Sequence, residues 1–456
     1  MSGIPHLRWH SVRLCADRVA VEIGGEACAE VEVLMPRRLY QSLMIFASMA
    51  ASPVVLLLAV WQWLAWRTWR RGSRPAGEVV LVYSQVAWDE VWQRPQEFAW
   101  RLARSRCVVY VSPVQVHQWL FTLKNRWRPV RDERPGRQLI VLSPLVFSGH
   151  FKSRWINRLN GWIQRVWLAA LLQAAERVHV LANTPFAVPM IQWLESDARG
   201  RPPRPGRVLY DVIDDFAAFS WAPAFCRPWD DWLTARADDL VTGTLALREQ
   251  RGAVRPDAEF IPCGVDYDLF SQDAPEPPDL APLPRPIIGY IGSVGERLDF
   301  DLLRRLAAEF PAASLVLVGP CQPVREGLPQ AANIHYLGLR RHEQLPGYAR
   351  AFSVATIPFR LNAATVMLNP VKTLEYLAAG VPVVSTALPD IVRLFGDVVR
   401  VARTADEFVE HVREVLKDAP SEMRAAGMAR ARAASWDAMT DAIARRFSSG
   451  VKGGRA

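Results

Sequence analysis

From residue 79 onward, short apolar runs of strand length alternate with segments of helical periodicity. The run VVLVYSQ (79–85) is followed by the amphipathic segment PQEFAWRLARS. Further apolar runs occur at 107–112, 177–183 and 207–216. Strands that alternate with helices are typical of a parallel sheet covered on both faces. The pattern therefore predicts a first Rossmann-like α/β domain over residues 79–270.

A second set of strands and helices follows a proline-rich segment. Residues 271–285 contain too much proline for a helix or a central strand, so we interpret them as an interdomain linker. Beyond them, apolar runs of strand length occur at 286–291, 313–320, 333–338, 353–359 and 381–386. We predict a second doubly wound domain over 286–435 and a C-terminal helix over 436–447 that packs back toward the first domain. Ligands are expected in a cleft at the carboxyl ends of both sheets.

An uncharged stretch covers residues 39–66, ahead of both domains. About 20 apolar residues suffice to cross a hydrocarbon core of about 30 Å, so we predict a single transmembrane helix. Four arginines follow between positions 67 and 74, and the positive-inside rule then places the domains on the cytoplasmic side of an inner membrane. A buried core helix or an uncleaved signal-like segment is the alternative. Residues 1–38 show no periodic element, and their role stays open.

The composition narrows the class of protein. Half of the residues are apolar and 22% are charged, as in ordinary globular proteins. Of the net charge of +9, residues 1–77 carry +4, so the rest of the chain has only a small positive excess, which argues against a nucleic-acid partner. The six cysteines lie far apart without a CxxC or Cys/His spacing, so we expect neither a zinc site nor a disulfide framework.

The segment NPVKTLEYLAAGVPVVS (369–385) carries the strongest chemical signal. Asn369 and Pro370 precede a predicted helix, whose first N–H groups have no intrahelical partner. Lys372 adds an ammonium in the first turn, and Glu375 follows one turn later. A helix N-terminus with a cation suits a diphosphate, and a nearby carboxylate suits the two hydroxyls of a ribose. An exposed helix start with an ordinary Lys372–Glu375 ion pair is the alternative.

Four segments together resemble the GT-B glycosyltransferases of the broad family-4 kind. They are NPVKTLEYLAAGVPVVS, IPCGVDYDLF, YDVIDDF and WDEVWQRPQEFAWRLA. The last is similar to a bacterial branch with a W-Q-R-P-Q motif, which works in exopolysaccharide or cell-wall polysaccharide synthesis. The resemblance implies an enzyme of hexosyltransferase type. Its C-terminal domain would hold a nucleotide sugar, usually a UDP-sugar, and its N-terminal domain a saccharide or lipid-linked acceptor. It also implies retention of anomeric configuration and no metal or other cofactor.

The same resemblance suggests residues for the donor site. Glu375 matches the second carboxylate of the family's E-x7-E element, which binds the ribose. The first carboxylate would fall at Met367, so the sequence departs from the family there. Contacts to the donor sugar are then expected from Asn362, from Thr365 or from the backbone N–H groups of Leu368 and Asn369.

A glycine-containing loop, GSVGER (292–297), corresponds to the family's donor-phosphate loop. Ser293, Gly295 and Arg297 are its candidate pyrophosphate contacts, although a close helix–strand turn would also account for the glycines. Cleavage of the anomeric bond leaves a nucleoside diphosphate with growing negative charge. We expect Lys372, Arg297 and the helix dipole to stabilise that charge in place of a metal.

The sequence contains two D-x-D strings, a pattern found in metal-dependent transferases. They are Asp266-Tyr-Asp268 and Asp299-Phe-Asp301. Because one lies in a linking segment and the other at a helix start, we interpret them as solvated or helix-capping residues.

Two neighbouring aspartates end a strand of the first domain. Asp214 is the candidate group that orients or deprotonates an acceptor hydroxyl, whereas Asp215 is expected to cap the next helix. The loop after the first strand supplies the candidate acceptor contacts, which are Trp88, Asp89, Trp92, Gln93 and Arg94. A core position for Trp92 is the alternative.

One helical segment suggests a second membrane contact. Trp155, Leu159, Trp162 and Val166 fall on one predicted helix face, next to Arg154, Arg158 and Arg165. This is the pattern of a basic interfacial helix, and an ordinary core-packing helix is the alternative.

Two other functions remain compatible with the sequence. A UDP-hexosamine 2-epimerase shares the two-domain fold, but it needs no acceptor site and no membrane anchor. A catalytically silent partner of a polysaccharide synthase is suggested by Met367.

Overall fold

A computed structural model gives the fold of the chain. It describes residues 9–14, 19–23, 31–33, 57, 60, 75–88, 92–115, 130–132, 138–147, 154–196, 204–219, 222–322, 327–362, 365–366, 368–418 and 420–448.

A three-stranded antiparallel sheet lies near the N-terminus, where the sequence pattern predicted no element. Its strands are β1 (Trp9–Leu14), β2 (Val19–Ile23) and β3 (Val31–Val33), and β2 pairs with both others. Each strand has six residues or fewer, which is too short for an alternating pattern to stand out from its surroundings.

No helix in the described part of the chain is long and apolar enough to cross a bilayer. Of the predicted transmembrane helix, 39–66, only Leu57 and Val60 are described. That helix otherwise lies outside the described residues and stays a prediction.

An eight-stranded sheet, formed by the next segment of the chain, confirms the first predicted α/β domain. Its region contains β4 (Gly77–Tyr83), β5 (Cys107–Val111), β6 (Val114–Gln115), β7 (Val130–Asp132), β8 (Leu139–Leu142), β9 (Leu145–Val146), β10 (Ala175–Ala182), β11 (Arg204–Val212), β12 (Asp239–Thr242) and β13 (Glu259–Phe260). The spatial order is β13-β12-β11-β10-β4-β5-β8-β7, and β6 pairs separately with β9. Edge strand β7 runs antiparallel to β8, whereas β4 pairs parallel with both of its neighbours. The chain adds β5 and β8 on one side of β4 and then, from β10 onward, adds strands on the other side, so the direction of winding reverses between β4 and β10.

Helices cover this sheet because each presents an apolar stripe to it. They are α1 (Arg94–Leu102), α2 (Arg154–Leu171), α3 (Val188–Ser196) and α4 (Cys226–Arg236), with short helical turns at Pro185–Ala187 and Phe216–Ala218. Phe98, Leu168, Ile191 and Leu233 are almost completely buried. Strand β4 is buried over its last five residues, as expected for the centre of a parallel sheet.

A six-stranded sheet, entirely parallel, confirms the second predicted domain. Its strands are β14 (Ile287–Ile291), β15 (Ser314–Val318), β16 (Ile334–Gly338), β17 (Val354–Ile357), β18 (Val383–Thr386) and β19 (Arg400–Ala402). The order is β16-β15-β14-β17-β18-β19, so the direction of winding reverses between β14 and β17. This is the doubly wound arrangement of Rossmann-like domains.

The other helices that the structure describes lie after β12 in the chain. They are α5 (Leu245–Gly252), α6 (Tyr267–Ser271), α7 (Phe300–Glu309), α8 (Leu345–Ala351), α9 (Val371–Ala378), α10 (Pro389–Phe395), α11 (Ala405–Lys417), α12 (Ser421–Ala433) and α13 (Trp436–Ser448), with a helical turn at His342–Gln344.

The chain divides into two compact units, 1–240 with 446–456, and 241–445. Segments on the N-terminal side of the second sheet take part in its core. Phe270 and Leu280 are fully buried there, although Leu280 lies in the proline-rich segment interpreted as a linker. Val265 also exchanges backbone hydrogen bonds with Ala434 and Trp436.

Candidate functional site

Three loops of the second unit meet where its sheet reverses direction. The loop after β14 contains Gly292–Arg297, and it lies beside the loops after β15 and β17. The Asp299 N–H donates to the Pro358 carbonyl at 2.8 Å, and the Arg360 N–H donates to the Arg297 carbonyl at 2.9 Å. Such a switch point, at the carboxyl ends of the strands, is where doubly wound sheets bind ligands.

Close packing accounts for a glycine at this point. Gly319 follows β15 with φ +147°, and an added Cβ would lie 2.0 Å from the Gly292 carbonyl oxygen. A Cβ on Gly295 would lie 2.5 Å from Oε1 of Gln322. The glycines thus allow two loops to pack closely. This supports the alternative that a close turn requires them, and it is compatible with a role in phosphate binding.

Helix α9 is fixed beside this loop by a tyrosine that the sequence analysis missed. The Tyr376 hydroxyl accepts a hydrogen bond from the Ile291 N–H at 2.6 Å, at the last residue of β14. Complete burial raises the pKa of Tyr376 far above its ordinary value, so the group stays neutral. This contact fixes α9 against the end of β14, immediately before the glycine-containing loop.

The first two turns of α9 carry the predicted Lys372–Glu375 pair. Nζ of Lys372 lies 2.9 Å and 3.2 Å from the two carboxylate oxygens of Glu375. The Glu375 side chain is 6% exposed and that of Lys372 30%. Pro370 precedes the helix, and no side chain caps it. The ion pair of the alternative interpretation is therefore present, and it leaves the ammonium partly accessible.

The other predicted donor contacts differ in accessibility. Ser293 and Arg297 are exposed, whereas Gly295 is buried. Thr365 is 1% exposed and donates to the Arg360 carbonyl while accepting from the Asn362 N–H at 3.0 Å. Its hydroxyl therefore holds the 360–365 turn, which sequence alone did not indicate.

The side chain of Asn369, just before α9, is not fully hydrogen-bonded, unlike that of Thr365. Its Nδ2 is buried without a hydrogen-bond partner in the described part of the chain. An unpaired buried amide donor is costly unless a bound group accepts its hydrogen bond. Met367, where the family's first carboxylate would stand, lies outside the described residues.

The two D-x-D strings begin with helix-capping residues, as predicted. The Asp266 carboxylate accepts from the Leu269 N–H at 3.4 Å at the start of α6. The Asp299 carboxylate accepts from the Leu302 N–H at 3.0 Å at the start of α7. In both cases the side chain satisfies a free helix donor.

A buried carboxylate joins two helix starts in the same unit. Asp390 lies in the first turn of α10, and its Oδ2 accepts from the Leu245 N–H of α5 at 3.2 Å. Its Oδ1 has no partner among the described residues, and burial raises the pKa of Asp390 to about 6.

This raised pKa predicts a pH-dependent stability. A carboxyl whose pKa is higher in the folded than in the unfolded state stabilises the fold below about pH 4, and the gain is lost as pH rises through about 6. Asp390→Asn keeps the acceptor oxygen but removes this titration. Urea denaturation between pH 4 and 7 should show wild type losing about 1–3 kcal/mol relative to the variant. Parallel pH profiles would contradict the assignment.

In the first unit, a pocket lies at the reversal between β4 and β10. Its walls include Tyr83, Gln85, Asn157, Gln164, Arg165 and Phe186. The Tyr83 hydroxyl donates to Oε1 of Gln164 at 2.7 Å, which ties β4 to α2. Burial raises the pKa of Tyr83, so this floor is uncharged. The sequence analysis did not identify this pocket, because its residues come from segments up to about 100 positions apart.

The W-Q-R-P-Q motif mainly builds the start of α1. Oε1 of Gln96 accepts from the Gln93 N–H at 3.1 Å, and its Nε2 donates to the Ala87 carbonyl at 3.0 Å. Arg94 is 4% exposed and holds Asp211 through Nε and Nη2, at 2.8–3.0 Å. Asn183 donates to the same carboxylate at 2.8 Å. Arg94 was predicted as an acceptor contact, but in the structure it forms a buried ion pair with Asp211.

The remaining predicted acceptor contacts are distributed between core and surface. Trp88 is 6% exposed and packs edge-on against Tyr110. Trp92 is 39% exposed, so the alternative of a core position for Trp92 is wrong. Asp89 lies outside the described residues.

The two aspartates after β11 lie in different surroundings. Asp214 is exposed just beyond the carboxyl end of the strand. Asp215 stands at the N-cap of the Phe216–Ala218 turn, but its side chain makes no capping bond. Its carboxylate instead accepts from Arg227 at 3.3 Å.

Helix α2 presents aromatic side chains to solvent. Trp155, Leu159 and Trp162 are 77%, 38% and 58% exposed. The Arg158 guanidinium lies 5.2 Å from the centre of the Trp155 ring. The core-packing interpretation is therefore wrong for this face, although Trp167 and Leu168 on the other face are buried.

Comparison with known proteins relates parts of the chain to glycosyltransferases. Residues 285–418 match the family described as glycosyl transferases group 1. The chain is 28% identical over 164 residues to the putative teichuronic acid biosynthesis glycosyltransferase TuaH of Bacillus subtilis, covering 34% of this chain and 41% of that protein. It is 22% identical over 338 residues to the D-inositol 3-phosphate glycosyltransferase of Mycolicibacterium smegmatis, covering 68% of each.

A comparison of structures covers more of the chain than these sequence matches do. A structure titled trehalose-6-phosphate from E. coli, bound with UDP-2-fluoro glucose, aligns with a TM-score of 0.61 at 12% identity, covering 82% of this chain and 99% of that one. The second unit thus contains a segment that matches the group 1 glycosyltransferase family, and the likeness to this structure supports a GT-B-type fold for the chain.

Proposed function

We propose that the chain transfers a hexose from a UDP-sugar to a saccharide or lipid-linked acceptor in exopolysaccharide or cell-envelope glycan synthesis. The observation that carries the donor half is helix α9, which pairs a partly accessible Lys372 with the Glu375 carboxylate and whose Tyr376 holds Ile291, the residue just before the glycine-containing loop. A cation and free helix amides suit the diphosphate, and a carboxylate suits the ribose. The bound UDP-sugar analogue in the E. coli structure, and the teichuronic acid role named for TuaH, support the same assignment.

The proposed chemistry requires charge stabilisation on the leaving group. The bond between the anomeric carbon and the β-phosphate oxygen breaks, a bond to the acceptor oxygen forms, and the proton of the acceptor hydroxyl passes to a base, for which Asp214 is proposed below. Lys372, exposed Arg297 and the amides of α9 would stabilise the departing diphosphate without a metal. Retention of configuration belongs to the proposal on the strength of the family resemblance.

Asp214 is the proposed group for the acceptor hydroxyl. It is exposed at the carboxyl end of β11, where a carboxylate can orient a hydroxyl or accept its proton. Asp215 is less suited, because Arg227 donates to its carboxylate.

Incubation of the purified chain with several UDP-sugars and candidate saccharide acceptors tests the proposal. Transfer or slow donor hydrolysis is expected, and Asp214→Asn should lower transfer about 100-fold while the Kd for UDP stays unchanged. Asp231→Asn, on α4, is the matched control. An epimerised donor, or UDP binding without any turnover, would replace the proposal with one of its two rivals. Transfer by Asp214→Asn at the wild-type rate would reject the proposed role of Asp214 but not the proposed glycosyltransferase activity.

We further propose that the protein works at the cytoplasmic face of an inner membrane. The predicted helix over 39–66 and the exposed Trp155, Leu159 and Trp162 of α2 support this location. Tryptophan rings beside arginines suit the interface of a bilayer that contains anionic lipid.

Vesicle binding separates these two membrane contacts. A chain that starts at residue 75 should still bind vesicles of phosphatidylglycerol and phosphatidylcholine at low salt, and replacement of both Trp155 and Trp162 by serine should weaken binding at least tenfold. Serine at Trp92, another exposed tryptophan, is the control. Equal binding by all three shortened proteins would contradict a role for α2.

A further inference from the structure

The pocket between β4 and β10 has the chemistry of an anion site. Among its described lining residues, Arg165 is the one charged side chain, and none is acidic. Amide side chains and apolar side chains form the rest, including Gln85, Asn157 and Phe186. A carboxylate would be expected in a pocket that binds a neutral sugar through its hydroxyl protons, whereas donors without an acid suit a negatively charged group.

Arg165 is only partly satisfied within the protein. Its Nη2 donates to the Pro189 carbonyl at 3.3 Å, which directs the guanidinium along α3. Its Nε is buried and has no hydrogen-bond partner in the described part of the chain. Because Nε has no accessible surface, a bound anion would be held by the terminal nitrogens of the guanidinium, for which the one long hydrogen bond to Pro189 leaves donor capacity.

The volume of the pocket limits what it encloses. The cavity measures about 40 Å³, which is room for about three water molecules. This matches one phosphate or carboxylate group rather than a whole hexose. The rest of a ligand would have to lie outside the cavity.

The position of the pocket connects it to an acceptor. It lies at the switch point of the first sheet, where β4 and β10 end and the chain order reverses. The Tyr83 hydroxyl, which donates to Gln164 and is kept neutral by burial, adds no second charge to the described lining of the pocket. The donor residues discussed above all belong to the second unit.

We propose that this pocket recognises an anionic group on the acceptor, with Arg165 as the residue that binds it. The inference rests on the proposed function, since it names a property of the acceptor in that reaction. The anion is a phosphate, as in a lipid-linked acceptor, or a carboxylate, as in an acidic sugar. Arg165 is a specificity-determining residue that binds away from the bond being formed.

Calorimetric titration of the full chain tests the pocket without turnover. UDP is kept at saturation to fill the donor site, and the probes are inorganic pyrophosphate, glucuronate and glucose. Wild type should bind one of the two anions, Arg165→Gln should bind it at least tenfold more weakly, and Arg165→Lys should fall between them. Arg158→Gln, an exposed arginine of the same helix, should match wild type. An unchanged UDP affinity and melting temperature show that the variants are folded.

The outcomes have separate meanings. Binding of pyrophosphate assigns the pocket to a phosphorylated acceptor, and binding of glucuronate assigns it to an acidic sugar. Binding of glucose alone, equal anion binding by Arg165→Gln, or no anion binding at all overturns the inference.

In the transfer assay, Arg165→Gln should raise the acceptor KM at least tenfold and leave UDP-sugar hydrolysis unchanged. A wild-type protein that binds the anion but neither hydrolyses nor transfers a donor sugar would count against the proposed function instead.

Discussion

Replacing Lys372 with methionine is expected to lower sugar transfer by about 100- to 1,000-fold, the usual effect of removing one group that stabilises charge in a transition state. The ammonium lies in the first turn of α9, 2.9 Å from Glu375, and is partly accessible. Negative charge on the diphosphate grows as the anomeric bond breaks, so the ammonium should act more strongly on the transition state than on the bound donor. We therefore expect most of the loss in kcat, measured with a UDP-sugar at saturating acceptor.

The matched control for this substitution is Lys417→Met. Lys417 lies at the end of α11, far along the chain from the glycine-containing loop, and should leave turnover unchanged. Lys372→Arg keeps the charge and should recover part of the rate. Wild-type turnover by Lys372→Met would show that the Lys372–Glu375 pair stabilises the helix and does not act on the leaving group.

The fold could be predicted from sequence because each domain repeats one strong local pattern. The run VVLVY forms the buried end of β4, and the helix around Leu374 follows its own amphipathic period. The three strands before residue 34 were not predicted, because they are too short to show a clear pattern. The burial of Leu280 in the second core was not predicted either, since nothing in a proline-rich segment indicates that one of its side chains is part of a core.

The candidate donor site was predicted only as far as it is local. Lys372 and Glu375 are three residues apart, so their proximity on one helix face follows from helical geometry. The contact between Tyr376 and Ile291 joins positions 85 residues apart, and it depends on how α9 packs against β14. The same limit applies to Asp390 with Leu245 and to the pocket around Arg165.

The W-Q-R-P-Q motif shows why residue type alone did not identify function. Arginine and tryptophan in a loop after a strand are compatible with sugar or phosphate binding, and that was the prediction for this loop. The structure instead gives Arg94 a buried partner, Asp211, which is 117 positions away. A sequence does not reveal such a partner without knowledge of the sheet order.

Replacing Arg94 with methionine is therefore expected to lower the free energy of unfolding by about 3–5 kcal/mol, because it leaves a carboxylate buried without its cation. Arg94 is 4% exposed and Asp211 fully buried, so water cannot take over the charge. Asn183 would remain as a donor to Asp211, but one neutral donor does not replace a guanidinium that binds through two nitrogens. Urea denaturation measures the loss.

Two further variants separate a structural role of Arg94 from acceptor binding. Adding Asp211→Asn to Arg94→Met removes the unpaired charge and should recover part of the stability. Trp92→Ala changes an exposed residue of the same motif and should cost less than about 1 kcal/mol. If Arg94→Met unfolds at the wild-type urea concentration while the acceptor KM rises, the original prediction of an acceptor contact is correct, because a buried structural ion pair cannot be lost without a large change in stability.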